Sequence, residues 1–136
     1  MRSKPHLTLD DCHRMAQAAR KEAIRRKGEA TIAIVDAGGA LMYLERPDRQ
    51  SPNSVEVAML KARAAAFRER PSSDLQQRVK EQPGWLMFPN ALAMSGGIPL
   101  LHQGECVGGI AVSGIAHDDE PAAQAGADAL AAAIKI

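Results

Sequence analysis

Aromatic residues are scarce in this 136-residue chain, in which Phe, Trp and Tyr together make up only 3% of the positions. Hydrophobic residues as a whole reach 46%, so the core has to be filled mainly by Ala, Val, Ile, Leu and Met. Such a core implies closely packed elements, and thin domains of this kind often bury their remaining apolar surface by self-association. We therefore expect a single domain over residues 1–136 that forms a homo-oligomer, a dimer or larger.

A charge imbalance and long apolar runs are also missing. The 17 basic and 16 acidic residues give a net charge of +1, which does not draw the protein to nucleic acid. No segment is long enough to span a bilayer, and the basic N-terminus is not followed by the apolar run of a secretory signal. These absences predict a cytoplasmic protein with neither a nucleic-acid nor a membrane partner.

Metal and disulfide patterns are weak as well. Cys12 and Cys106 form no CxxC motif, which favours buried thiols in a reducing compartment, although a disulfide between them stays open. The four histidines, at positions 6, 13, 102 and 117, lack the spacing of zinc ligands, so we predict no metal site.

Glycine, by contrast, is concentrated in "SGGIPLLHQGECVGGIAVSG", residues 95–114, which holds six of the eleven glycines. A phosphate-binding loop places its glycines between a strand and a helix start, and a Walker loop adds Gly-Lys-Ser/Thr. Here the glycines precede a strand or lie within one. The stretch therefore predicts close packing and a hairpin turn at Gln103-Gly104 rather than a nucleotide site.

The remaining chain reads as alternating helices and hairpins. Thr8 and Asp11 form a capping-box pattern ahead of an amphipathic helix that Gly28 ends, and Ser51 and Ser73 are predicted N-caps of two later helices. The predicted order is helix, β-hairpin (30–35 and 40–45), two helices, β-hairpin (98–102 and 105–112) and helix. This order indicates an α+β fold with one antiparallel sheet flanked by helices.

Polar residues that suit ligand chemistry cluster between the first hairpin and the second helix. Arg46 and Lys61 are predicted to converge on an anion such as a carboxylate, with Glu56 moving protons together with Lys61. An inward-facing Lys61 needs a partner, which Glu56 or Asp36 would supply. The alternative reading is an ordinary solvated face, and Asp36 in "DAGG" is also a common turn former.

Histidines and aromatics offer a second set of candidates. His13, predicted on the buried edge of the first helix, and His117, ahead of the last helix, are available as haem iron ligands, although each also suits a structural role. The cluster "WLMF", Trp85 to Phe88, would line a pocket, form a subunit contact or fold back on the core. Nucleophilic hydrolysis has little support, because no Gly-x-Ser-x-Gly motif is present.

Three stretches carry a family resemblance: "TIAIVDAGGALMYLERPD", "SVEVAMLKARAAAF" and "GGIPLLHQGECVGGIAVSG", in this order behind an "LTLDD" helix. Together they resemble the GlcG/HbpS-like family, also called the haem-degrading domain family, over residues 7–133. The chain is also similar to the C-terminal domain of PduO-type cobalamin adenosyltransferases. The matching positions are Asp36, Gly38, Gly39, Arg46, Ser54, Glu56, Lys61, Gly96, Gly97, Pro99, Gly108, Ser113 and Gly114. The sequence departs from the family at Asn53 and in "EQPGWLMFPNALAM".

The resemblance implies a profilin-like fold with a five-stranded antiparallel sheet, assembled into dimers or higher oligomers. It implies ligand-binding roles for Arg46, Asp36, Gly38, Gly96, Gly97 and Ser113, and haem as a cofactor held by His13 or His117. The leading hypothesis is therefore a small-molecule-binding protein that binds or degrades haem or another tetrapyrrole. The alternatives are an accessory isomerase, lyase or hydratase of a small organic acid, with Arg46 as anchor and Lys61 and Glu56 as catalytic groups, and a non-catalytic oligomeric sensor.

Overall fold

The computed structural model describes residues 1–134 and contains four α-helices and four β-strands. Two 3₁₀ turns, Pro83–Met87 and Ala116–Asp118, connect them. The helices are α1 (Leu9–Arg25), α2 (Asn53–Arg68), α3 (Ser72–Glu81) and α4 (Asp119–Ala133), and the strands are β1 (Thr31–Asp36), β2 (Leu41–Glu45), β3 (Gly97–His102) and β4 (Glu105–Ser113). No helix in this part of the chain is both long enough and apolar enough to cross a membrane.

The sheet has the strand order β2-β1-β4-β3, and every neighbouring pair is antiparallel. The two hairpins join through β1 and β4, from the pair Thr31 with Ser113 to the pair Asp36 with Gly108. This confirms the predicted α+β class. The expectation of five strands is wrong for residues 1–134, because the segment after α3 forms a 3₁₀ turn and Leu92 donates to a carbonyl of α2.

Helix starts were only partly predictable. The Thr8 hydroxyl accepts from the Asp11 amide and the Asp11 carboxylate accepts from the Thr8 amide, which confirms the capping box. The predicted caps Ser51 and Ser73 are wrong, because Pro52 and Pro71 occupy the N-cap positions of α2 and α3. Proline has no N–H of its own to satisfy there.

The helices cover the two faces of the sheet unequally. α1 and α4 pack together on one face, over a core that includes Ile32, Ile34, Ile110 and Val112. α2 lies against the other face, over β4, β1 and β3, with α3 beside it at the start of β3. Alternation along β1 and β4 therefore sends large aliphatic side chains towards α1 and α4 and small ones towards α2.

The glycines of β3 and β4 explain how closely α2 approaches the sheet. A Cβ on Gly97 would overlap the carbonyl oxygen of Lys61, and one on Gly109 would overlap that of Ala62. The helix meets the sheet backbone at these points, with Ala62 and Ala66 filling the space beside Val35. The glycine-rich stretch thus serves packing and turns, as its position in the sequence predicts.

Gly97→Ala tests this contact. We expect the variant to lose about 1–3 kcal/mol of unfolding free energy in urea denaturation, because its methyl group overlaps a helix carbonyl. The matched control is Gly84→Ala, where no atom lies within 4 Å of the added carbon and stability stays near wild type. Equal stability of Gly97→Ala and wild type would contradict the close approach.

Candidate functional site

Lys61 of α2 is buried, with only 2% of its side chain exposed. Its Nζ lies 3.1 Å from Oδ2 of Asp119, the first residue of α4, and 3.3 Å from the carbonyl oxygen of Val112. The other oxygen of Asp119 accepts from the Ile115 amide at 2.9 Å. The ion pair therefore ties α2 to the end of β4 and to the start of α4.

The predicted partners of Lys61 are wrong, because Asp119 takes that place rather than Glu56 or Asp36. Glu56 is exposed on α2 and lies five positions before Lys61. At 3.6 residues per turn, the two side chains therefore leave the helix in different directions. Asp36 is held in its turn, where Oδ1 accepts from the amides of Gly38 and Ala40 at 2.9 Å each. The structure does not bring Lys61 and Glu56 together as a proton-transfer pair.

Of the glycines predicted to bind ligand, Gly38 lies in the β1–β2 turn, where it lines a cleft of about 390 Å³ with Arg63 and Phe67 of α2. Gly96, Gly97 and Ser113 lie near the buried lysine. A Cβ on Gly96 would lie 3.0 Å from the Lys61 Nζ, and Gly97 packs on the Lys61 carbonyl. Ser113 is 7% exposed and ends β4. This packing leaves little room for a ligand beside Gly96 and Gly97, and the ligand-binding roles of all three glycines and of Ser113 stay predictions.

Arg46 lies on the other side of the sheet from Lys61. It lines a cleft of about 250 Å³ together with Arg20, Ala23 and Ile24 of α1 and with Glu45 of β2. The expectation that Arg46 and Lys61 converge on one hollow is therefore wrong. Their separation arises because α2 covers one face of the sheet whereas α1 covers the other.

The residues next to this cleft form a hydrogen-bonded row along α1 and β2. Arg20 Nε donates to Glu45 Oε2 at 2.7 Å, and a second guanidinium nitrogen donates to Oε1. The Tyr43 hydroxyl donates to the same Oε1 at 3.1 Å. Burial, reinforced by Glu45, raises the pKa of Tyr43, so the phenol stays protonated near neutral pH.

His13 stands at the end of this row. Its ring meets the edge of Tyr43 with 5.5 Å between ring centroids and an interplanar angle of 83°. The residue is exposed, so its predicted place on a buried helix edge is wrong. The reason is the helical phase: Cys12, Met15 and Ala16 face the core, which turns position 13 outwards beside the edge strand β2.

The other histidines lie elsewhere. His117 is exposed in the second 3₁₀ turn, next to Asp118, which pairs with Arg26 at 2.8 Å. His6 and His102 line a cleft of about 90 Å³ beneath the N-terminal segment. Within residues 1–134, no group of three or more His, Cys, Asp or Glu side chains lies close enough together to hold a metal ion.

The aromatic cluster lies outside this row. Trp85 stacks on Phe88 with 6.3 Å between centroids, and the guanidiniums of Arg68 and Arg78 each lie 5.2 Å from the indole. The neighbouring Leu86 and Met87 are exposed. The segment does not fold back as a cap on the core. Trp85, Met87 and Phe88 line an open cleft of about 400 Å³, which confirms the pocket hypothesis, whereas the subunit contact remains a prediction.

The two cysteines are buried free thiols, so the disulfide left open by the sequence does not form. Burial, with a smaller contribution from Asp11, raises the pKa of Cys12 to about 11, and burial also raises the pKa of Cys106. Both thiols therefore stay protonated and unreactive near neutral pH.

Sequence reasoning missed three residues of these arrangements. The sequence pattern places Asp119 in an acidic helix start, and nothing local signals its pairing with a lysine 58 positions earlier. Similarly, the pattern assigns Tyr43 only to a strand and Arg20 only to an amphipathic helix. The seven-residue spacing of His13 and Arg20 was an available signal, because residues two turns apart share a helix face.

A four-stranded antiparallel sheet with helices on both faces places this chain in the α+β class of domains. The family model "Haem degrading protein HbpS-like" matches residues 7–128. This chain therefore belongs to the HbpS-like family, as the sequence resemblance predicted.

Individual relatives agree with this assignment. A crystal structure of HbpS is 33% identical, covers 94% of this chain and 92% of its own, and superposes with a TM-score of 0.88. A crystal structure of a PduOC:heme complex is 26% identical, with 92% and 95% coverage and a TM-score of 0.81. Protein GlcG of Escherichia coli K12 is 29% identical over 114 residues, 83% of this chain and 85% of that protein.

Lys61→Met tests the buried ion pair. Leaving Asp119 buried without its partner is expected to cost about 3–5 kcal/mol of unfolding free energy in urea denaturation. The double variant Lys61→Met with Asp119→Asn removes both charges and keeps an acceptor for Ile115, so it should recover part of that loss. Lys80→Met, at an exposed lysine of α3, is the matched control and should stay near wild type.

If the double variant is no more stable than Lys61→Met, the unpaired charge of Asp119 is not the cause of the loss. The same measurement distinguishes a structural role of Lys61 from a purely catalytic one. A catalytic lysine that is not structural would be replaced without a change in stability.

Proposed function

We propose that this chain binds haem or a closely related tetrapyrrole on the face formed by α1 and β2, with His13 as the iron ligand. The observation that carries the proposal is the exposed imidazole of His13, held edge-on by Tyr43. Histidine is a common axial ligand of haem iron. The family description and the haem complex of the PduOC relative support the same ligand class.

The surroundings of His13 suit a flat apolar ring. Leu9, one helical turn before His13, is 54% exposed. On β2, a bulge places the half-buried Met42 on the same side as Tyr43, where both pack against the core beneath α1. Exposed apolar side chains of this size next to a polar ligand group are typical of binding surfaces. The α1–β2 face, defined here as Leu9, His13, Arg20, Met42 and Tyr43, therefore fits a tetrapyrrole.

The other histidines fit this ligand less well. His117 lies next to the acidic Asp118 and Asp119, which suit neither an apolar ring nor its carboxylate side chains. The cleft of His6 and His102, about 90 Å³, falls well below the roughly 300–1,000 Å³ of pockets that enclose drug-sized ligands. His13 is therefore the preferred ligand of the two that the sequence proposed.

The chain's own groups have separate tasks in this proposal. His13 would hold the iron through a ring nitrogen, Tyr43 fixes the ring plane of His13, and Leu9 would exclude water from the apolar ring. A bound haem would supply redox and oxygen chemistry that no side chain provides. Degradation of the haem is a separate step, and loss of the Soret band when ascorbate and air are added would reveal it.

The structure supports only part of the alternative hypothesis, that the chain is an enzyme acting on a small organic acid. Arg46 remains available as an anion anchor in its cleft, but the proposed catalytic groups Lys61 and Glu56 lie apart, on a different face of the sheet. A carboxylate bound at Arg46 would meet no proton-transfer group from that pair. We therefore do not extend the proposal to an isomerase, lyase or hydratase.

Self-association and a cytoplasmic location are further parts of the proposal. The exposed Leu86 (64%) and Met87 (83%) give the chain an apolar surface in addition to the α1–β2 face. A second copy of the chain would bury such side chains at an interface rich in aromatic residues and methionine.

Haemin titration tests the iron ligand. Addition of haemin to the wild-type protein should shift the Soret band, and His13→Ala should abolish the shift while leaving the circular dichroism spectrum unchanged, because position 13 is exposed. His117→Ala is the matched control and should bind as wild type does. An unchanged haemin spectrum with wild-type protein, or a full shift with His13→Ala, would refute the proposal.

Sedimentation velocity tests self-association. The wild-type protein is expected to sediment as a dimer or larger, and the double variant Leu86→Ser with Met87→Ser should sediment as a smaller species. Leu101→Ser, at a leucine of similar type on β3 that is 47% exposed, is the control. A monomeric wild-type protein would contradict the prediction, and loss of assembly only in Leu101→Ser would place the contact at β3.

A further inference from the structure

We propose that the Arg46 cleft is the carboxylate-binding end of the same ligand site, so that Arg46 selects tetrapyrroles that carry propionate side chains. This inference rests on the proposed function, because it needs a tetrapyrrole bound on the α1–β2 face. It joins an anion-binding residue and a haem-ligating residue, which the sequence assigned to competing hypotheses, into one surface. No nucleotide or free metal is involved.

Continuity of the surface is the first argument. His13 and Arg20 lie seven residues apart on α1, which is two turns and about 10 Å along one helix face. Tyr43 and Glu45 lie on the facing side of β2, paired with Ile34 and Ile32 of β1. Tyr43 contacts His13, whereas Glu45 binds Arg20, so both elements run side by side from the imidazole to the cleft.

Size is the second argument. The cleft of about 250 Å³ is too small for a whole tetrapyrrole but large enough for a carboxylate on a short aliphatic arm. A haem carries its two propionates on one edge of the ring, displaced from the central iron by roughly the length of the His13–Arg20 row. A ring ligated at His13 would therefore extend its propionates towards Arg46.

Charge is the third argument. Glu45 would repel a propionate, but its carboxylate is already bound by two guanidinium nitrogens of Arg20 and by the Tyr43 hydroxyl. Arg46 makes no ion pair among residues 1–134, so its guanidinium is available for a ligand carboxylate. Glu29 is the remaining carboxylate in the lining, and it opposes anion binding.

Apolar contacts complete the cleft. Ala23 and Ala30 are buried at its floor, Ile24 is 60% exposed at its rim, and Pro47 forms a further wall. Methylene groups of a propionate arm would pack on these side chains while the carboxylate reaches Arg46. An anion without an aliphatic arm would gain only the charge contact, which is weak at an exposed position.

The experiment compares three probes on the full-length protein: haemin, metal-free protoporphyrin IX and haemin dimethyl ester. Haemin and protoporphyrin IX carry free propionates, whereas the ester carries none, and only the two haemins have iron. Arg46→Gln should weaken binding of haemin and protoporphyrin IX by about fivefold, the size of one partly exposed charge contact. It should leave the ester's affinity unchanged.

Two further variants provide a matched control and a change expected to have the opposite effect. Arg49→Gln removes an exposed arginine three positions along the same loop that lines the adjacent cleft with Lys27 and Gln50, and it should bind all three probes as wild type does. Glu29→Gln removes the opposing carboxylate and should strengthen binding of haemin but not of the ester. Absorbance and porphyrin fluorescence report affinity, so no turnover is required.

The outcomes separate the two proposals. The carboxylate assignment would be overturned if Arg46→Gln and Arg49→Gln lowered the affinity for haemin equally, or if Arg46→Gln also lowered the affinity for the ester. A Soret shift that depends on His13 would still uphold the proposed function in that case. In a second outcome, the wild-type protein shows no Soret shift with haemin, but it still binds protoporphyrin IX and Arg46→Gln weakens that binding. This result would overturn iron ligation by His13 and leave the carboxylate site in place.

Discussion

The close approach of α2 to the sheet is the constraint on which the rest of the structure depends. At Gly97 and Gly109 the strand backbone meets carbonyl oxygens of the helix, with no space for a methyl group. Because dispersion contacts fall off steeply with distance, such an approach compensates for a core with few aromatic side chains. It also leaves little room for a ligand between α2 and the strands at Gly97 and Gly109.

The approach of α2 accounts for the burial of Lys61. A lysine at the centre of this interface needs a charge partner, since an unpaired buried ammonium carries a large desolvation cost. Asp119 supplies it from the first turn of α4, where a carboxylate is also favoured by the helix dipole. Lys61, which the sequence predicted to be catalytic, thus holds three elements together through its pair with Asp119. The proposed ligand site lies on the opposite side of the sheet.

The α1–β2 face carries an exposed histidine, His13, whose neighbouring side chains are held in place by hydrogen bonds. Tyr43, Glu45 and Arg20 restrain one another through hydrogen bonds, and the ring of Tyr43 restrains His13 in turn. A ligand group held in one orientation before binding loses less conformational entropy when it binds. Preorganisation of this kind distinguishes His13 from His117, which sits exposed in a short turn.

The sequence by itself determined the α+β class, the order of helices and hairpins, the capping box at Thr8 and the packing role of the glycines, because each depends on residues close together in the chain. The family followed from the order of three motifs. Only the tertiary structure decided that Asp119 pairs with Lys61, that Arg46 lies across the sheet from it, and that His13 faces solvent beside Tyr43. Those relations join residues distant in the chain, and helix phase and sheet face set them, which no local pattern specifies.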